Sequence, residues 1–193
     1  MSRGLVRAAR AATLVVAALV AAPAAGADPA APSVDLDHGT LTIKGDAAAE
    51  ALALRAQPGP RRLEVDLGDD DTADFAVGDV EEIDQVDFGG ADTIRVGDLG
   101  RAAVDQLSVN LQPGPGGPAG DGAPDRILAT GTDGDDALAV TGANGTVAIA
   151  GLAYAFGITH AEAIDTLAID TLAGHDAVDA SGLAADTIQL TTD

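Results

Sequence analysis

The sequence predicts an all-β protein, a right-handed parallel β-helix or β-roll-like solenoid with short strands, on three observations. The first is a recurring unit of Asp, any residue, aliphatic, any residue and usually a second aliphatic, found at Asp84, Asp92, Asp105, Asp125, Asp136, Asp165, Asp176 and Asp186. Apolar residues at every second position mark strands with one face in a core. The second is spacing. Strand starts fall near Asp125, Asp136, Gly145, Ala155, Asp165, Asp176 and Asp186, about ten residues apart, which leaves room for a strand of about five residues and a tight turn. The third is the near absence of aromatics. Phe75, Phe88, Tyr154 and Phe156 are all there are, so the core must be built from thin layers of aliphatic side chains.

The elements follow in order. Arg3, Arg7 and Arg10 precede a 12-residue apolar run from Ala11 to Ala22, and Ala25-Gly26-Ala27 follows. This pattern predicts a secretory signal peptide over residues 1–27, because a bilayer span needs about 20 apolar residues. Residues 28–33 form a Pro/Ala linker. Val34–Leu36 and Thr40–Lys44 read as strands around the turn Asp37-His38-Gly39, and Ala51–Arg55 and Leu63–Leu67 repeat the alternation across Pro58-Gly59-Pro60. Ala47–Arg55 also suits a helical turn by composition, but the alternation of Leu52 and Leu54 favours a strand. Residues 34–80 are thus expected to form an N-terminal β region or cap, and residues 81–193 the solenoid. Ile83–Val86, Gly89–Val96 and Val104–Leu111 are its first units. The run from Pro113 to Pro124 has too much Pro and Gly to hold a ladder, and it predicts an exposed loop.

Charge narrows the partners. All 31 acidic residues lie beyond Ala27 and face seven basic ones there, a balance of −24. Such a chain repels nucleic acid and anionic membrane, and it attracts divalent cations. The predicted product is secreted and extracellular, with no membrane association after signal cleavage. It has no cysteine, so disulfides cannot hold it in an oxidising compartment. The sequence names no protein or glycan partner, while an uncapped solenoid end offers a route to self-association.

Two acidic stretches are candidate metal sites. Within Asp66–Phe75 the residues Asp66, Asp70 and Asp74 fall at positions 1, 5 and 9 of an EF-hand-like loop, with Asp69 and Asp71 beside them; Gly68, Asp71 and Val77 depart from the pattern. The second is Gly131–Val140, with Asp133, Asp135 and Asp136 in a Gly-rich bend that runs into a strand. Asp92 and Asp176 occupy matching places elsewhere. A competing role exists for every such Asp, which can accept hydrogen bonds from the amides of its own bend.

Gly131, Gly134, Asp136 and Leu138 resemble the calcium-binding nonapeptide of RTX, or haemolysin-type, proteins, with Thr132 replacing the second Gly. Gly90, Asp92 and Ile94, then Gly174, Asp176 and Val178, then Gly182, Asp186 and Ile188, are poorer copies. Residues 39–75 and 82–192 look like the non-repeat flanks of large secreted bacterial calcium-binding proteins. The resemblance implies a parallel β-roll with Ca²⁺ held between consecutive turns by backbone carbonyls and Asp carboxylates. His175 stands where an acidic residue is expected, and imidazole is a poor ligand for a hard cation.

Catalytic signatures are missing from the sequence. It has no Gly-x-Ser-x-Gly elbow, phosphate-binding loop or His-Glu-x-x-His motif, and His38, His160 and His175 share no spacing. The expectation is therefore a non-enzymatic calcium-binding protein with a structural or interaction role. A metal-independent extracellular spacer or adhesion module is the alternative, and a polysaccharide-acting β-helix enzyme that pairs carboxylates within Asp69–Asp74, or Asp135 with Asp136, ranks behind both.

Overall fold

The computed structural model describes residues 32–87, 89–112 and 120–193. The signal peptide, residues 28–31 of the linker and residues 113–119 of the Pro/Gly loop lie outside the described residues. Among the described residues there are fifteen strands and no helix. Ala51–Ala56 is a strand, as the alternation of its leucines predicts.

The strands form two mixed sheets. Among the described residues, the first has eight strands in the order β1 (Ser33–Asp37), β2 (Thr40–Lys44), β6 (Glu82–Asp87), β8 (Gln106–Asn110), β12 (Ala155–Thr159), β11 (Thr146–Ala150), β10 (Ala137–Ala143) and β14 (Ala177–Leu183). The second has seven, in the order β15 (Gln189–Thr192), β13 (Thr166–Asp170), β9 (Arg126–Thr130), β7 (Thr93–Val96), β3 (Ala51–Ala56), β4 (Arg62–Leu67) and β5 (Phe75–Gly78). The chain passes between the sheets repeatedly, from β2 to β3, β6 to β7, β8 to β9, β12 to β13 and β14 to β15.

An unbroken parallel stack is not what the pairing establishes. Eight pairings are parallel, but β1–β2, β3–β4, β4–β5, β10–β11 and β11–β12 are antiparallel. The strand starts at Gly145 and Ala155, read as successive coils, belong to a meander. Its cause is local: Asn144 and Gly145 both have positive φ, 52° and 76°, the geometry of a two-residue hairpin turn that returns the chain beside itself.

The core is laid down in register. In the second sheet Leu52, Ile94, Ile127 and Leu167 stand side by side along the ladder, each 0–1 % exposed. In the first sheet Leu41, Ile83, Leu107, Phe156, Ile149 and Val140 form the matching row. One apolar cluster draws on both rows. Burying each such side chain contributes about 1.5–3 kcal/mol, so stacking like residues gives the sheets a common inner face without large aromatics. Tyr154 and Phe156 belong to this core, with ring centroids 6.1 Å apart. Some of the acidic residues gather at the crossings between sheets, while the densest run, 66–74, joins β4 and β5 within the second sheet.

Candidate cation sites at the acidic corners

Glu50, Asp92, Asp125 and Asp165 are the residues immediately before β3, β7, β9 and β13. Parallel pairing places them one above another. In one direction the ladder continues through backbone bonds: the N–H groups of Thr93, Arg126 and Thr166 donate to the carbonyls of Glu50, Asp92 and Asp125 at 2.8–2.9 Å. In the other direction the carboxylates take over. Glu50 N–H donates to Asp92 Oδ1 (2.8 Å), Asp92 N–H to Asp125 Oδ1 (2.9 Å) and Asp125 N–H to Asp165 Oδ1 (3.0 Å). The Oδ1 of each aspartate thus caps an amide 33 to 42 residues away. The column ends at Asp165, whose Oδ2 accepts the Glu162 N–H (2.7 Å); the neighbouring position before β15 is Ile188.

These carboxyls are buried together, with Asp92, Asp125 and Asp165 only 2 %, 3 % and 1 % exposed. Burial is the main cause of their altered acidity, and the neighbouring carboxylates add to it. Glu50 is pushed up to about 7, Asp92 to about 6 and Asp125 to about 7, while Asp165 is raised. No ion pair among the described residues reaches any of the four. Two buried oxygens, Glu50 Oε2 and Asp92 Oδ2, have no hydrogen-bond partner.

At the opposite crossing, the bends 131–136 and 171–176 stack. Gly131 N–H donates to the Asp170 carbonyl (2.8 Å), Asp136 N–H to Asp176 Oδ1 (2.9 Å), His175 N–H to Asp135 Oδ1 (2.9 Å) and Ala177 N–H to the Asp136 carbonyl (2.9 Å). Asp136 also closes its own bend, accepting the Thr132 N–H (2.8 Å) and hydroxyl (3.1 Å). The two copies of the glycine-aspartate motif are therefore neighbours in space. Asp135 and Asp176 each engage Oδ1 in these bonds, and Asp133 is exposed.

The loop 66–74 is organised differently from an EF-hand. Asp66 is fully buried, and its Oδ2 accepts Arg55 Nη1 at 2.8 Å and the Asp71 N–H at 3.1 Å, while Oδ1 accepts the Asp70 N–H at 3.3 Å. Burial alone raises this carboxyl, but the guanidinium and the two amides outweigh it and hold it below the usual range. Arg55 Nη2 reaches Asp69 (3.1 Å) and Asp71 (3.3 Å), and Arg95 pairs with the second oxygen of Asp69. Asp70 caps the Thr72 amide and Asp74 the Leu67 amide. A guanidinium stands where a metal was expected, and all five aspartates of the loop already have partners.

No group of three or more His, Cys, Asp or Glu side chains among the described residues is arranged to hold a metal ion. Any ion here needs backbone carbonyls beside the carboxylates. The sequence pattern singled out Asp92 but not Glu50, Asp46 or Asp121, which lie around it; the signal that finds Glu50 is its place immediately before a strand, where the other levels carry Asp. The chain matches no protein-family model, no curated protein and no solved structure.

Proposed function

We propose that the protein is a secreted, non-enzymatic structural or interaction module that binds Ca²⁺ weakly at the stacked bends 131–136 and 171–176. The observation that carries this reading is the vertical contact of the two motif copies through Asp136 N–H and Asp176 Oδ1. A site built between consecutive turns requires such a neighbour, and Asp135, Asp136 and Asp176 with the carbonyls of the bends are its oxygen donors. Repeated passage of the chain between the sheets supports a roll-like coil with two inserted meanders. The ion would supply positive charge to a surface that otherwise repels itself, stabilising the native state by mass action.

Isothermal calorimetry with CaCl₂, paired with thermal melts in chelator and in millimolar calcium, tests this. Saturable micromolar-to-millimolar binding that weakens at least tenfold in the D136N/D176N variant is expected. Absence of heat, with identical melts, instead supports the metal-independent spacer, a reading favoured by the fact that Asp135, Asp136 and Asp176 already cap backbone amides.

A further inference from the structure

The crossing from the first sheet into β3 and β7 has a property that the other acidic regions lack. Asp92 is 2 % exposed and spends Oδ1 on the Glu50 amide, and its Oδ2 is buried without a partner. Glu50 repeats the arrangement: Oε1 accepts the Asp46 N–H (3.1 Å), and Oε2 is buried and unpaired. The charged groups acting on this pair are Asp46, whose carboxyl also lies within hydrogen-bond reach of the Glu50 carboxyl, and Asp121, both acidic. These two are held in place by their own bonds, Asp46 Oδ1 to the Ala48 N–H (2.7 Å) and Asp121 through the amides of Gly90 and Ala123. Two orphaned buried carboxylate oxygens among four acids, with no guanidinium or ammonium of the described residues paired to them, is an arrangement that lacks its positive charge.

Backbone oxygen is also at hand. The carbonyls of Ala47 and Ala48 crowd Gly90 so closely that a Cβ there would lie 3.2 Å and 2.2 Å from them. Only glycine lets the two chain segments approach in this way. All donors at the corner are oxygens, which selects a hard cation of the calcium class over a transition metal.

We propose that this corner is a second, buried cation site, in which Glu50 Oε2 and Asp92 Oδ2 are the fixed ligands of one Ca²⁺-class ion and backbone carbonyls complete its shell. It is independent of the site at residues 131–176.

The test is calorimetric titration of the whole chain with CaCl₂, comparing wild type with D92N, E50Q and D136N/D176N. D92N keeps Oδ1 as acceptor for the Glu50 amide and removes the charge, so a cap is preserved while a ligand is lost. The expected result is the loss of one equivalent of calcium in D92N and in E50Q, and its retention in D136N/D176N. In chelator at neutral pH, D92N should melt a few degrees above wild type, because the repulsion is gone. Unchanged stoichiometry in both D92N and E50Q overturns the proposal, as does a D92N variant that melts below wild type in chelator, which means that the charge of Asp92 stabilises the ion-free fold. Calcium binding lost only in D136N/D176N keeps the turn site and removes this one; the opposite pattern removes the turn site and keeps this one.

Discussion

The loop 66–74 and the column Glu50–Asp92–Asp125–Asp165 are both acidic and both buried in part, and they solve the same electrostatic problem in opposite ways. The loop imports Arg55 from β3 and Arg95 from β7, and Asp66 is held ionised. The column has no base, and its acids are raised toward neutrality. Density of aspartate therefore does not identify a cation site. The loop looks like the stronger candidate in sequence, yet its buried acid Asp66 already has a guanidinium, whereas the column looks like ordinary turn chemistry and its buried acids have none.

Removing the loop's cation breaks the comparison most sharply. Arg55→Ala leaves Asp66 buried without its counter-charge, and we expect a loss of about 3 kcal/mol in urea unfolding. A loss below about 1 kcal/mol means that the loop, like the column, tolerates its charges unaided.

The column should respond in the other direction. Asp125 moves from its ordinary 3.8 to about 7, with Asp92, Asp121 and Asp165 around it and no cation among the causes. A folded value above the unfolded one means that the native state holds a proton which the unfolded chain has released, so stability falls as pH rises from about 4 to 7 and levels off above. In chelator, Asp125→Asn keeps an oxygen acceptor for the Asp92 amide and should flatten that decline, making the protein about 1 kcal/mol more stable than wild type at pH 8 once solvent screening is allowed for. Chemical unfolding at pH 5, 6, 7 and 8 reads this directly, and parallel curves for the two proteins would count against it. The loop acid Asp66 has the opposite sign: its contribution is present above about pH 4 and disappears as acid titrates it through its lowered folded value.

The smallest effect belongs to the exposed member of the bend at 131–136. Asp133→Ala should change stability by less than about 0.5 kcal/mol in the same urea assay. A larger change would place Asp133 among the structural caps with Asp135 and Asp136.

The strands were legible because their signal is local. Alternation of Leu52 and Leu54, or of Leu138 and Val140, needs only adjacent residues to be read, and β9, β10, β13 and β14 begin one residue after the aspartates that the repeat marks. The Asn144-Gly145 hairpin was equally local but was hidden by the ten-residue rhythm, which fits a meander as well as a coil. The partners of the acids were not legible. Arg55 meets Asp66 because the antiparallel register sets Arg55 opposite Glu64 and Ala53 opposite Asp66, a fact of strand pairing. Asp92 meets Asp125 at a separation of 33 residues and Asp125 meets Asp165 at 40, intervals set by the inserted loop and the meander rather than by the repeat.

Those same separations bear on how the chain reaches its native state. Each carboxylate cap that joins one level of the column to the next closes a loop of 33 to 42 residues. Closing a loop of 40 residues costs about 3 kcal/mol of chain entropy before any contact repays it. No stretch of sequence can form a rung of this column alone, since a rung exists only when two distant segments are already docked. The hairpin and meanders can pair locally, but the column must wait on long-range encounters, which makes its assembly the slow part of folding.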